Sequence, residues 1–148
     1  MSQIMLQEKF NIEAGNFTNA GQASATIKRK LKQLGIPADV LRRVAVACYE
    51  VELNLVIHSM GGCLTFEVTP EEVRLLSKDV GPGIHDIDKA MTEGFSTANQ
   101  EARSMGFGAG MGLPNMKRNA DGFDIKSTIG VGTSIDMLFS IKEREDAL

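Results

Sequence analysis

Apolar residues change period several times along the chain, and each change predicts an element. In "IPADVLRRVAVACYEVELNLVIHS", Leu41, Val44, Cys48, Val51 and Leu55 recur at steps of three and four. That spacing predicts a long helix with this stripe as its core face, and Pro37 suits its first turn. Upstream, "NFTNAGQASATIKRKLKQLG" reads as a turn or cap followed by a helix that Gly35 closes. "IMLQEKFNIE" (4–13) suits an edge strand. "GCLTFEVTP" and "EEVRLLSKDVG" are strand-like and meet around Pro70. Their connection is too short for a parallel crossover, so they form an antiparallel hairpin. "IHDIDKAMTEGF" predicts a short helix, residues 94–107 show no period, and a second helix runs from about Leu113 to Ala120. "GFDIKSTIGVGTSIDMLFSI" alternates around Gly130 and Gly132 as a closing hairpin, before a frayed tail, "KEREDAL". This order predicts an α+β fold, a two-layer α/β sandwich with helices on one face of a mixed, mostly antiparallel sheet.

Composition narrows the classes. A length of 148 residues suits one compact domain over 1–148, and 43% hydrophobic with 24% charged residues is ordinary for a globular chain. A net charge of −3, no tryptophan and one tyrosine argue against direct nucleic-acid binding and against an anionic membrane surface. No apolar run is long enough to cross a bilayer, and "MSQIMLQEKF" lacks the apolar stretch of a signal peptide. The expected location is therefore cytoplasmic. Cys48 and Cys63 lack CxxC spacing, and two histidines complete no zinc set, so both read as reduced thiols.

Three stretches carry candidate chemistry. Glu50, Asn54 and His58 lie four apart and share a helix face beside the core stripe. A carboxylate and an amide there suit a nucleophile-orienting base and a magnesium ligand, because magnesium takes oxygen donors and keeps several waters. A polar helix edge with a local hydrogen bond is the alternative. "KDVGPGI" puts Asp79 at a strand end before Gly81 and Gly83. The aspartate could accept from a ligand's exocyclic amine while the glycines admit its close approach; a tight turn explains the same residues. "SMGFGAGMGLPNMKR" sets Gly106, Gly108, Gly110 and Gly112 on alternate positions just before a helix. Glycines destabilise regular structure by roughly 0.5–1 kcal/mol each relative to alanine, so such a run has a reason. Either it is a hinge, or its N–H groups and the helix N-terminus hold phosphates, with the preceding irregular segment as a lid. No Lys-Ser/Thr follows, so it is not a Walker A loop.

Taken together and in this order, the motifs resemble the Bergerat-fold (GHKL) ATPases. "YEVELN" looks like the N box, "DVGPGI" the first glycine box, "GFGAGMG" the second and "GVGT" the last, so the ATP-binding motifs span about 46–133. Within that superfamily the chain looks most similar to bacterial anti-sigma factor and switch-protein serine kinases. The resemblance implies ATP/ADP and Mg2+ as ligands, with Glu50 as general base and Asn54 on magnesium. It further implies Asp79 on the adenine amine, Thr133 assisting near the base, Gly81 and Gly83 shaping that pocket, and Gly106, Gly108, Gly110 and Gly112 around the phosphates. The implied activity is a serine/threonine kinase acting on an anti-sigma-factor antagonist-type protein, with a sigma factor as a further partner and a homodimer admissible. A nucleotide-gated anti-sigma factor or an ATP-sensing module with little kinase activity is the alternative. "VIHSMGG" departs from the family's usual His-Gly pair and puts the end of that helix in question. Arg103 in the lid reads as a solvated charge, with a reach to the γ-phosphate as the alternative, and Lys117 and Arg118 beyond it read as a solvated helix face.

Overall fold

The computed structural model describes residues 3–81, 83–84, 87, 91 and 112–141. The predicted helix at 84–95 and the lid lie almost entirely outside them. Five strands form one sheet: β1 (Leu6–Ile12), β2 (Gly62–Val68), β3 (Glu72–Asp79), β4 (Gly122–Thr128) and β5 (Gly132–Ser140). Three helices, α1 (Gln22–Gln33), α2 (Ala38–His58) and α3 (Gly112–Asn119), pack with α2 between the other two.

The spatial order is β1-β2-β3-β5-β4, and all four pairings are antiparallel. The order of elements predicts a mixed, mostly antiparallel sheet; β5 inserts between β3 and β4, and no parallel pair forms among the described residues.

Alternation along the strands sends one set of side chains toward the helices. Leu64, Phe66, Val73, Leu75, Ile135, Met137 and Phe139 are buried there against Val44, Cys48, Val51 and Leu55 of the predicted α2 stripe. Each fully buried apolar side chain stabilises the fold by roughly 1.5–3 kcal/mol. Cys48 is a core residue, as its place in the stripe predicts, and burial pushes its thiol up to about 12. The thiol is inert at neutral pH. On the opposite face polar pairs prevail, among them the two-point contact of Arg74 with Asp136.

Helix ends are closed by different devices. Gly35, at φ +81°, donates to Lys32 O after α1, so the predicted stop is in place. Asp39 in the first turn of α2 pairs with Arg42 and Arg43. Helix α2 ends at His58: the Ser59 hydroxyl turns back onto Leu55 O and accepts from Gly61 N at 3.0 Å. Serine thus supplies the contacts that follow the helix end. Helix α1 has no side-chain cap of its own, since Gly21 precedes it. Its N–H groups are met from α2 by Glu52, which is only 2% exposed. The Glu52 carboxylate accepts from Gly21 N at 3.0 Å, Ala23 N at 3.3 Å, Ser24 N at 2.8 Å and the Ser24 hydroxyl.

Candidate functional site

Glu50 and Asn54 sit one turn apart on the side of α2 that faces α3. The first residue of α3 is Gly112, pressed against both. A Cβ added there would lie 3.1 Å from Glu50 Oε2 and 3.5 Å from Asn54 Oδ1. The absence of a side chain at Gly112 therefore lets the start of α3 meet a carboxylate and an amide oxygen together. Glu50 is half-buried, with the Asn115 side chain of α3 nearby. Burial raises its carboxyl above the ordinary range, and the Asn115 amide opposes that rise. His58, on the same face, is also half-buried, and burial lowers its imidazole.

A second group of residues gathers at the end of β3. Asp79 Oδ1 accepts from Thr133 N at 2.9 Å, which joins the end of β3 to the start of β5. Burial raises the Asp79 carboxyl, and the Thr133 N–H opposes that rise. The Thr133 hydroxyl lies 2.9 Å from Ser127 Oγ, which in turn accepts from Ile84 N at 2.7 Å. Three connections converge here through backbone bonds: Met60 N to Val80 O at 2.7 Å, Val80 N to Gly61 O at 3.0 Å, and Gly81 N to Val131 O at 3.2 Å.

The two glycines after Asp79 differ in kind. Gly83 is at φ +79°, and a Cβ there would lie 2.7 Å from Thr128 O, so the turn itself requires glycine. Gly81 has ordinary space: a Cβ would stand 3.5 Å from Ser59 Cα and 3.6 Å from Asp79 Oδ1. Nothing in the protein's own packing demands glycine there, and that opening lies beside the Asp79 carboxylate.

The structure thus brings Glu50, Asn54 and Gly112 together, and Asp79, Gly81, Gly83 and Thr133 together. Gly106, Gly108 and Gly110, with Arg103, lie outside the described residues. Lys117 and Arg118 are exposed, as expected, but Arg118 Nη1 also donates to Asn115 Oδ1 at 2.9 Å. Two positions escape the sequence reading, and a third, Gly132, was visible only as a hairpin glycine. Gly132, at φ +154°, would carry a Cβ 2.1 Å from Asp79 O, so only glycine lets β5 pass the end of β3. Ser127 was visible only as an alternating strand residue. Asn115 falls three residues after Gly112, a spacing that shares a helix face, and that was its only signal.

Among the described residues no cluster of three His, Cys, Asp or Glu side chains is placed to hold a metal ion. Magnesium can bind through a single protein oxygen, drawing its other ligands from water and phosphate. The Asn54 amide oxygen beside Gly112 fits that requirement.

The sequence that builds these two groups of residues has known relatives. The chain belongs to the histidine kinase-, DNA gyrase B- and HSP90-like ATPase family, whose sequence pattern matches residues 39–143. It is a member of a nucleotide-binding family on the α+β sandwich those proteins share. Among individual relatives, it is 32% identical over 111 residues to the serine/threonine-protein kinase RsbT of Bacillus subtilis (strain 168), covering 72% of this chain and 77% of that protein. It is 29% identical over 139 residues to the anti-sigma F factor of Thermoanaerobacter sp. (strain X514), covering 88% and 94%. The anti-sigma F factor of Caldanaerobacter subterraneus subsp. tengcongensis is 28% identical over 124 residues, covering 80% and 83%. No described helix is long and apolar enough to cross a membrane.

Proposed function

We propose that the chain is an ATP- and magnesium-dependent serine/threonine protein kinase that phosphorylates a small antagonist-type protein in a partner-switching circuit. The observation that carries this reading is the convergence of Glu50 and Asn54 on Gly112 at the start of α3. Helix N-termini favour phosphate, and a carboxylate beside one can serve the acceptor hydroxyl. In the reaction, Glu50 takes the proton as the acceptor O–H bond breaks. The hydroxyl oxygen forms a bond to the γ-phosphorus, the bond to the β–γ bridging oxygen breaks, and its electron pair leaves with ADP. Asn54 would hold magnesium, which would neutralise phosphate charge. Asp79 accepts from the adenine amine with Thr133 beside it, Gly81 and Gly83 shape the base pocket, and Gly106, Gly108, Gly110 and Gly112 lie along the phosphates. The same reading makes 1–148 a single cytoplasmic domain.

Incubation with γ-labelled ATP, magnesium and antagonist-type proteins from the same genome tests it. Label is expected on a serine or threonine of one such protein, and Glu50→Gln should reduce transfer by about 10²–10⁴-fold while still binding ATP. An ATP-dependent complex with a sigma factor and no transfer would instead support a nucleotide-gated anti-sigma factor, a reading favoured by the greater coverage of the anti-sigma F relatives. ATP binding with neither outcome would point to a sensing module.

A further inference from the structure

Strand β1 lies at the edge of the sheet. It pairs with β2 from Leu6 to Ile12, and among the described residues no hydrogen bond reaches its other edge. Backbone N–H and C=O groups on such an edge are a template for another strand, and proteins commonly block or cover them. β1 has no proline, glycine or bulge to block it. Beside it lies a cleft of about 470 Å³, bounded by residues 9–13, the turn after β1, the first turns of α1, and Glu52 and Val56 of α2. That volume falls in the roughly 300–1,000 Å³ range of sites that enclose a small ligand. It is room for a few residues of one extended chain.

The lining carries the chemistry that a peptide backbone needs. Phe10 and Ile12, on the helix-facing side of β1, are only partly buried, and with Val56 they give the cleft an apolar side. The turn and α1 supply amides. Asn16 Oδ1 accepts from Asn19 N at 3.3 Å, and Asn19 Oδ1 accepts from Gln22 Nε2 at 3.1 Å. Among the described residues these bonds leave the amide nitrogens of Asn16 and Asn19 and the amide oxygen of Gln22 without partners. Such donors and acceptors match a peptide, which offers one of each per residue. Glu13 and Glu52 line the cleft against a single cation, Lys9, so it does not suit a phosphate-bearing ligand. The ion pair of Lys30 with Glu8 ties α1 to β1 and holds together the two elements that frame the cleft.

We propose that this cleft binds an extended peptide segment of a partner protein, which joins the sheet as a sixth strand along β1. Alternate side chains of the peptide are apolar and meet Phe10, Ile12 and Val56, while an acidic one stands opposite exposed Lys9 on the outer face. A second copy of the chain is the poorer occupant. Lys9 is the middle residue of β1, so a symmetric antiparallel pair sets it against its own copy, and like charges directly opposite are destabilising. The cleft lies across α2 from Glu50, and the inference does not depend on the kinase reading.

The test selects binders to the full chain from a library of randomised seven-residue peptides and then follows one of them. Selected peptides should alternate apolar and polar positions. Methylating a peptide backbone nitrogen should weaken binding about tenfold where that N–H faces β1 and less than about twofold at the positions between, as strand addition requires. Hydrogen exchange of β1 amides should slow when the peptide is bound. Thr26→Trp, which fills the cleft from α1, should weaken binding about tenfold or more and leave ATP affinity within about twofold. Lys9→Glu changes only an exposed side chain, so it keeps the test open if Thr26→Trp fails to fold; it should weaken acidic peptides about fivefold. Selection of no peptide, equal loss at every methylated position, or unchanged exchange in β1 would each overturn the proposal. So would full affinity in a folded Thr26→Trp protein or in Lys9→Glu. Protection of β1 that rises with protein concentration alone would give the edge to a second copy and overturn it as well.

Discussion

Glu50 and Glu52 stand two positions apart on α2 and serve opposite sides of it. Glu50 faces α3, where Gly112 meets it, while Glu52 is buried against the start of α1. Two residues of helix turn the chain through about 200°, so one short motif supplies both a site carboxylate and a structural one. The two should be separable by substitution. Glu52→Ala removes the acceptor for three backbone N–H groups and the Ser24 hydroxyl, leaving buried donors unmet. Loss of a helix cap and of such partners should destabilise the protein by roughly 2–3 kcal/mol, read as a lower urea midpoint. ATP affinity of the folded fraction should be unchanged. A stability equal to wild type would mean the cap is dispensable.

This pair also shows what periodicity can and cannot reveal. The core stripe from Leu41 to Leu55 was legible because it repeats, and the strand-end Asp79 because glycines punctuate it. Glu52 has no such signature. Its partners at Gly21, Ala23 and Ser24 belong to another helix, and only folding brings them near. The role of Gly132 was hidden for the same reason: the hairpin was legible, but the close approach to Asp79 O comes from a distant strand. The fully antiparallel sheet was hidden too: strand direction follows from alternation and turns, but the insertion of β5 beside β3 is decided by tertiary packing.

Glu50→Gln should have opposite effects on stability and on chemistry. Burial raises the Glu50 carboxyl, so the folded chain binds that proton more tightly than the unfolded chain. The resulting stabilisation is fully present below the unfolded pKa and is lost as pH rises through the folded one. Above the folded pKa the side chain is ionised, and the full cost of burying its charge remains. Glu50→Gln should therefore raise the urea midpoint at pH 7, and the advantage should shrink as pH falls toward about 4, the ordinary glutamate range. Denaturation curves across that interval check the sign. A variant less stable than wild type at pH 7 would show that the carboxylate supports the fold.

Asp79→Asn isolates base recognition. It keeps the side-chain shape and an oxygen for the Thr133 N–H, whose 2.9 Å bond ties β3 to β5. It replaces the other carboxylate oxygen with an amine, so an adenine amine would meet a donor. ATP and ADP affinity should fall together, by about 1.5–3 kcal/mol for a hydrogen bond to a charged group. Calorimetry with both nucleotides measures this. A loss for ATP alone would place Asp79 near the phosphates instead.

Gly112 offers the sharpest separation of site from scaffold. It is the member of the alternating glycine run that lies among the described residues, and it begins α3. The bland account of the run is a hinge, which would leave Gly112 indifferent to a methyl group. The geometry says otherwise, because that methyl would come within 3.1 Å of Glu50 Oε2 and 3.5 Å of Asn54 Oδ1. Alanine also has the better helix propensity, by roughly 0.8–1.0 kcal/mol, so the fold itself has nothing to lose beyond that contact. Gly112→Ala should melt within about 1 kcal/mol of wild type, since the carboxylate can swing a few tenths of an ångström aside. Displacing it, with the methyl now in contact with the Asn54 oxygen, should nevertheless weaken magnesium-dependent ATP binding and slow phosphate transfer by about tenfold or more, because small misplacements at a reacting centre are amplified in rate. Titrating ATP with and without magnesium, beside a thermal melt of the same preparation, reads both quantities. Unaltered magnesium-dependent binding in a well-folded Gly112→Ala protein would return the glycine run to the hinge.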